Sequence, residues 1–164
     1  MSKITSFEQL LLHELRDLYD AETRIEKALP KMAKAAESEQ LENAFSSHLE
    51  ETREQIERLK KAFEILGEKP KGETCQAAKG LIEEGEEVIK DIESGVIRDA
   101  GLIGAAQRVE HYEMAGYGTA RNFAQILGQT EIVKLLDATL QEEGEADKKL
   151  TKIAKSINQQ AVRA

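Results

Sequence analysis

Apolar side chains recur along most of the chain at the spacing of amphipathic helices. Between Leu11 and Ala36 they follow alternating steps of four and three residues, which places them on one stripe of a helix. The same rhythm continues from Leu41 to Leu66 and appears twice more in the second half of the chain, and no segment shows strand-like alternation. The pattern predicts four long helices, over residues 6–37, 39–67, 96–127 and 130–158.

Residues that start and stop helices stand at the ends of these segments. Ser6 and Ser38 precede the first two, and their side-chain oxygens can accept hydrogen bonds from the free backbone N–H groups of the first turn. Gly67 and Gly128 follow the second and third segments, where a left-handed residue commonly ends a helix. Pro30 lies inside the first segment, so we expect a kink there rather than a break.

The lengths of the connections predict the topology. The first two helices are joined by very few residues, as are the last two, so each pair forms an antiparallel hairpin. The long middle connection contains a shorter helix, predicted over 75–93, which would span about 28 Å and could return along the bundle. We therefore predict an all-α fold, a single domain over 1–164: a ferritin-like four-helix bundle with an additional crossover helix.

Composition and charge limit the possible partners. The formal net charge is -8, from 31 acidic and 23 basic residues, and no basic cluster is present, so we expect no nucleic-acid binding. No run of 18 apolar residues is found, so we expect no membrane span. The single cysteine, Cys75, cannot form an internal disulfide, and a cytoplasmic location is expected.

Four glutamates occupy positions where the helical pattern requires a core residue: Glu22, Glu110, Glu113 and Glu143. Burial of a carboxylate is costly unless it is paired, protonated or bound to a cation. Each of these glutamates lies near the midpoint of its predicted helix, so all four belong to one layer of the bundle. One such glutamate alone is more often a rim or salt-bridge residue, but several at one level favour a metal site.

The second helix contributes His48 and, three residues later, Glu51, which share a helix face near the same level. Oxygen ligands with a small number of imidazoles suit iron or manganese better than zinc. The sequence therefore predicts a site for one or two ions, with iron expected and manganese as the other option. The predicted ligands are Glu22, His48, Glu51, Glu110, Glu113 and Glu143.

Two further features of the third long helix each allow two interpretations. Tyr117, one turn beyond Glu113, could hydrogen-bond a ligand or simply fill the core. Small residues at 101, 104, 105, 115 and 118 form one face of the third long helix, which either the crossover helix or a partner subunit could cover.

Several motifs resemble the YciE/YciF family of bacterial ferritin-like proteins, and the resemblance covers nearly the whole chain. The motifs are LRDLYDAETRIEKALPKM (15–32), HLEETREQIERL (48–59), GLIEEGEEVI (80–89), VEHYEMAGYGT (109–119) and LQEEGEADKKL (140–150). The resemblance implies a ferritin-like bundle, often a homodimer, with a role in stress responses.

The di-iron carboxylate pattern of ferritin-like proteins implies a role for each helix. Glu22 would be the ligand from the first helix, Glu51 the carboxylate from the second, Glu110 or Glu113 the ligand from the third and Glu143 that from the fourth. The chain departs from the pattern because it lacks Glu-x-x-His: Glu50 is followed three residues later by Arg53 and Glu143 by Ala146.

Three functions remain open at this point. The first is a metal-binding stress protein that uses iron or manganese, with a redox role linked to oxygen or peroxide. The second is a non-enzymatic bundle, a homodimer or interaction module, whose central glutamates pair with bases such as Arg53 or Arg108. The third, peroxide disproportionation at two manganese ions, is disfavoured by the shortage of histidine.

Overall fold

The computed structural model describes residues 3–164, and every regular element among them is a helix. This confirms the predicted all-α fold. Each predicted helix is present, with ends that differ from the prediction by a few residues. The elements are α1 (Phe7–Ala35), α2 (Glu39–Ile65), the crossover helix α3 (Gln76–Asp91), α4 (Val96–Ile126) and α5 (Thr130–Ala161).

The helix ends follow the local chemistry of the sequence. Ser6 Oγ accepts from the backbone N–H of Gln9 at 3.2 Å, and Ser38 caps α2 in the same way. Gly67 and Gly128 adopt φ values of +70° and +71°, the left-handed conformation expected after a helix. Pro30 lies inside α1 without ending it, since the helix continues to Ala35.

Two apolar layers, one towards each end of the bundle, form most of the hydrophobic core of residues 3–164, and a small third cluster of Ala21, Cys75 and Ala78 lies between α1 and the start of α3. One layer joins the first half of α1 and the second half of α4 to the C-terminal half of α2 and the start of α5, with Leu15, Leu59 and Leu136 among its members. The other layer contains Phe45 and Ile153. Every long helix is therefore antiparallel to its neighbours, and α3 returns the chain from one end of the bundle to the other.

The crossover helix packs on the small-residue face of α4. A Cβ atom on Gly101 would lie 2.9 Å from Cγ1 of Val88, so α3 needs a glycine here to approach α4 so closely. Further along, a Cβ atom on Gly85 of α3 would meet Ala105 at 3.8 Å, an ordinary contact. Of the two partners left open by the sequence, α3 covers the face at Gly101 and Ala105. None of the helices described between residues 3 and 164 combines the length and apolarity needed to cross a membrane.

Asp99, at the start of α4, holds the corner between α1 and α2. Its buried carboxylate accepts from the backbone N–H groups of Glu37 at 2.9 Å and Ser38 at 2.8 Å. The neighbouring Arg98 donates to the carbonyl oxygen of Ala35 at 2.7 Å. Together these bonds tie the first hairpin to the second, and the helical pattern alone does not predict them.

Replacing Asp99 by alanine is expected to destabilise the protein by about 2–4 kcal/mol, because two backbone N–H groups lose a charged acceptor. Urea denaturation followed by circular dichroism measures this change. The matched control is Asp91→Ala at the exposed end of α3, for which we expect a change within about 0.5 kcal/mol. Equal effects of the two substitutions would contradict the role given to Asp99.

Candidate metal centre

A polar layer at mid-bundle separates the two apolar layers. The side chains of Glu22, Glu113 and Glu143 are fully buried, and Glu110 is only 3% exposed. These residues come from α1, α4 and α5, and the remaining helix, α2, contributes the buried His48. The i, i+3 spacing of Glu110 and Glu113 gives both one inward face of α4.

Four of these side chains converge closely enough to share one cation. His48, Glu110, Glu113 and Glu143 each offer a ligand atom, and these atoms all lie within 4.8 Å of one another. Nε2 of His48 is 3.4 Å from Oε1 of Glu110 and 3.7 Å from Oε2 of Glu143. The separations between His48 and these carboxylates are longer than good hydrogen bonds, so the ring and the carboxylates surround a common point without pairing fully.

The buried polar atoms of this layer have few hydrogen-bond partners. Both carboxylate oxygens of Glu113 lack one, as does one oxygen each of Glu22, Glu110 and Glu143. Nε2 of His48 also lacks one. Buried polar atoms are nearly always satisfied, so these atoms require either protons shared between neighbouring carboxyl groups or a bound cation. Because five carboxylate oxygens and one imidazole nitrogen are all electron-pair donors, the residues present fit a cation.

Glu22 enters the layer from α1 and is hydrogen-bonded to a tyrosine of α4. The hydroxyl of Tyr117 donates to its Oε1 at 2.5 Å, so this tyrosine orients the carboxylate as well as filling the core. The other oxygen of Glu22 is free, and the carboxylate is close enough to those of Glu113 and Glu143 to interact with both charges. Glu22 therefore adjoins the four-residue cluster from the α1 side.

Glu51 does not join the cluster. Its side chain is 42% exposed, and its Oε2 lies 3.1 Å from Nδ1 of His48. With a proton on Nδ1, the imidazole donates to this carboxylate and turns Nε2 towards the centre. The structure thus places Glu51 where it orients His48, at the rim of the layer.

Burial and nearby negative charge raise the pKa values of three glutamates of the layer, Glu22, Glu110 and Glu113. Burial raises the pKa of Glu113 well above its ordinary value, and the nearby carboxylates of Glu22 and Glu143 raise it further. Burial and then Glu143 raise the pKa of Glu110 and of Glu22, although the hydrogen bond from Tyr117 opposes the effect at Glu22. In the metal-free protein these three carboxyl groups therefore hold their protons more tightly than exposed glutamates do.

The pairing of the central glutamates with Arg53 or Arg108, which the interaction-module hypothesis suggested, is not found in the structure. Arg53 lies at the surface with Glu50 at 2.6 Å and Glu26 at 3.3 Å. Arg108 is exposed, 4.0 Å from Glu84 of the crossover helix. Arg53 projects from the outer face of α2 and Arg108 from the outer face of α4, so neither guanidinium reaches the polar layer.

Two polar side chains of α2 support the layer, and sequence reasoning did not assign them a role. Gln55 is fully buried and donates to the carboxylates of Glu143 and Glu142. Arg58 forms a bidentate pair with Glu142 at 2.5 and 2.6 Å. Gln55 occupies a core position of the helical pattern. A polar residue at such a position is the sequence feature that could have identified it.

The other histidines of the chain lie outside the layer. His111 is 66% exposed and 3.3 Å from Asp147, which in turn accepts from Gln107. His13 is half exposed beside Glu73. The centre therefore has one imidazole and several carboxylates, a ligand set suited to iron or manganese.

Comparisons with known proteins agree with this arrangement of helices. Residues 6–163 match the sequence model of a family described as "Domain of unknown function (DUF892)". The chain is 46% identical over 158 residues to protein YciF of Escherichia coli (strain K12), a match that covers 95% of each protein.

Three solved structures share the fold. The crystal structure of the E. coli stress protein YciF superposes with a TM-score of 0.92 at 45% identity, covering 95% of this chain and 99% of that one. YcfI of Rhodopseudomonas palustris, for which a structural role has been suggested, gives 0.89 at 48% identity, covering 91% and 95%. A protein of Xanthomonas campestris pv. campestris gives 0.77 at 20% identity, covering 96% and 97%, and shows the fold alone.

As the pH rises, the free energy of unfolding of metal-free wild-type protein is expected to fall relative to that of metal-free Glu113→Gln. The raised pKa of Glu113 means that the folded state holds its proton more tightly than the unfolded state, whose value is near 4.5. This contribution is fully present below that value and is lost as the pH rises through the folded-state pKa. Glutamine keeps the shape and cannot ionise. Urea denaturation in chelator, between about pH 5 and about pH 8, measures the difference, and a pH-independent difference would contradict the assignment.

Proposed function

The chain belongs to the DUF892 family and is a relative of the stress protein YciF, and from this premise we propose that it is a ferritin-like, metal-binding stress-response protein. Iron is the proposed metal, with manganese as the other option, and the proposed location is the cytoplasm. The observation that supports this most directly is the set of buried, unpartnered ligand atoms on His48, Glu110, Glu113 and Glu143.

The four residues of the cluster would hold the first ion. Glu22 has a free oxygen and adjoins Glu113, so these two residues are the natural ligands of a second ion. Iron bound there would supply one-electron redox chemistry with dioxygen or peroxide.

The surrounding residues have defined tasks in this proposal. Glu51 orients the ring of His48, Gln55 orients Glu143, and Tyr117 orients Glu22. The apolar layers close the centre at both ends along the bundle axis and hold the four helices at a set separation. The ligands are thereby arranged before any ion arrives, which lowers the cost of binding.

We also propose that the protein is a homodimer. On α4, Cβ atoms added to Gly104 and Gly118 would meet no other atom within 4 Å, so part of the small-residue face stays uncovered in one chain. Such a face allows close approach of a second helix. An interaction module without metal is the competing function, and the structural role suggested for YcfI favours it.

Protein purified without chelator is expected to contain iron or manganese at one or two ions per chain, by elemental analysis. Glu143→Gln should lose the metal, because it replaces a central anionic ligand by a neutral amide of the same size. The matched control is Glu54→Gln, which changes an exposed residue of α2 and should keep the metal.

A second readout is thermal stability. Added Fe(II) under anaerobic conditions should stabilise wild type by about 3 kcal/mol at a free concentration about a hundred times the dissociation constant, and should not stabilise Glu143→Gln. Metal-free protein that takes up neither Fe(II) nor Mn(II) would overturn the metal function and leave the interaction module.

Sedimentation analysis tests the dimer separately. Wild type is expected to sediment at twice the chain mass of 18.3 kDa, and Gly118→Arg at the mass of one chain, because a long charged side chain would block close helix contact. A monomeric wild type would contradict the homodimer without affecting the metal site.

A further inference from the structure

Within residues 3–164, two cavities that reach the polar layer differ in chemistry. A cavity of about 30 Å³ lies between α1, α3 and α4 and ends at His48 and Glu110. A larger one of about 410 Å³ lies between α2 and α5 and reaches the same two side chains from the other side. His48 and Glu110 are therefore the side chains that the two cavities share.

The smaller cavity is lined almost entirely by hydrocarbon. Ile25, Ile82, Ile89 and Val109 form much of its wall, and Gly85 and two alanines of α4 leave the space open. Between its mouth, where Glu86 is paired with Lys31, and its inner end at His48 and Glu110, this wall offers a hydrated cation no ligand to replace its water. The wall of the larger cavity, in contrast, carries the carboxylates of Glu51, Glu142 and Glu145.

We infer that the apolar cavity beneath α3 binds dioxygen and admits it to the His48 and Glu110 side of the metal centre, while cations use the acidic groove between α2 and α5. This inference rests on the proposed metal function and names the oxidant of that site.

The size and apolar lining of the cavity favour a small apolar molecule. Its volume is roughly twice the minimum for one water molecule, which suits a diatomic gas and excludes organic substrates. Apolar cavities of proteins tend to stay dry and to accept uncharged guests such as xenon. Peroxide is a strong hydrogen-bonding molecule, so it would prefer the polar groove.

The mouth of the cavity is formed by α1 and α3. Ala28 of α1 is half-buried there, and Lys31 bridges to Glu86 of α3 at 2.7 Å. A larger side chain at position 28 would project into the mouth without entering the tightly packed core. Position 85 offers a second, milder change, because the Cβ atom of alanine there would make only an ordinary contact with Ala105.

Xenon binding to metal-free protein, followed by methyl NMR shifts under gas pressure, is the first test. We expect shifts of the methyl groups of Ile25, Ile82 and Ile89 in wild type, loss of these shifts in Ala28→Leu, and weaker shifts in Gly85→Ala. The matched control, Ala138→Leu, narrows the polar groove and should leave the xenon shifts unchanged. Absence of xenon shifts at these methyl groups in wild type would overturn the inference.

The second test uses protein loaded with Fe(II). Oxidation by dissolved dioxygen should be several-fold slower in Ala28→Leu, while oxidation by hydrogen peroxide and the amount of bound iron stay at the wild-type level. An unchanged rate with dioxygen in a variant that no longer binds xenon would overturn the access route. Xenon binding is measured without metal, so the two failures can be told apart. Failure to take up metal would count against the proposed metal site, whereas failure to bind xenon would count against the dioxygen cavity.

Discussion

The burial of four glutamates in one layer, without a lysine or arginine among them, is the constraint on which the rest of the structure depends. Each buried carboxylate costs several kcal/mol unless a proton or a cation compensates it. The chain offsets this cost with two apolar layers, which need helices of about thirty residues to reach both sides of the charges. The helices are therefore long because apolar layers are needed on both sides of the polar centre.

Side chains around the layer each donate a hydrogen bond to one oxygen of a buried glutamate and leave its second oxygen without a donor. Tyr117 donates to one oxygen of Glu22, and Gln55 donates to one oxygen of Glu143, while the second oxygen of each remains unpaired. Arg58, the nearest guanidinium in this network, is directed to Glu142 at the edge of the layer. A neutral amide or phenol orients a carboxylate without neutralising it, so the negative charge stays available for a cation.

The centre differs from the ferritin-like di-iron pattern in where its nitrogen ligand comes from. The histidine of α2 precedes its carboxylate, and α4 supplies two glutamates, Glu110 and Glu113, in place of one. His48 is consequently held by Glu51 from outside and faces Glu110 from inside. The likeness to YciF at 46% identity extends over almost the whole chain, whereas the likeness at 20% identity concerns the fold alone. The proposed metal function therefore depends on the residues of the layer and not on the bundle as such.

Helical periodicity by itself determined most of the fold and the membership of the layer. Because a strict pattern of four and three residues assigns each position to the core or the surface, Glu22, Glu110, Glu113 and Glu143 could be placed inside from the sequence. The side-chain chemistry of Ser6 and Ser38 likewise identified the starts of the first two helices. Tertiary structure decided everything that depends on how far a side chain reaches between helices. In the folded chain Glu51 lies at the rim of the layer and Arg53 lies at the surface. Asp99 hydrogen-bonds to the first hairpin, and α3 packs on α4 at Gly101. The tertiary structure also created the two cavities, since a space between helices is a property of their packing and has no period along the chain.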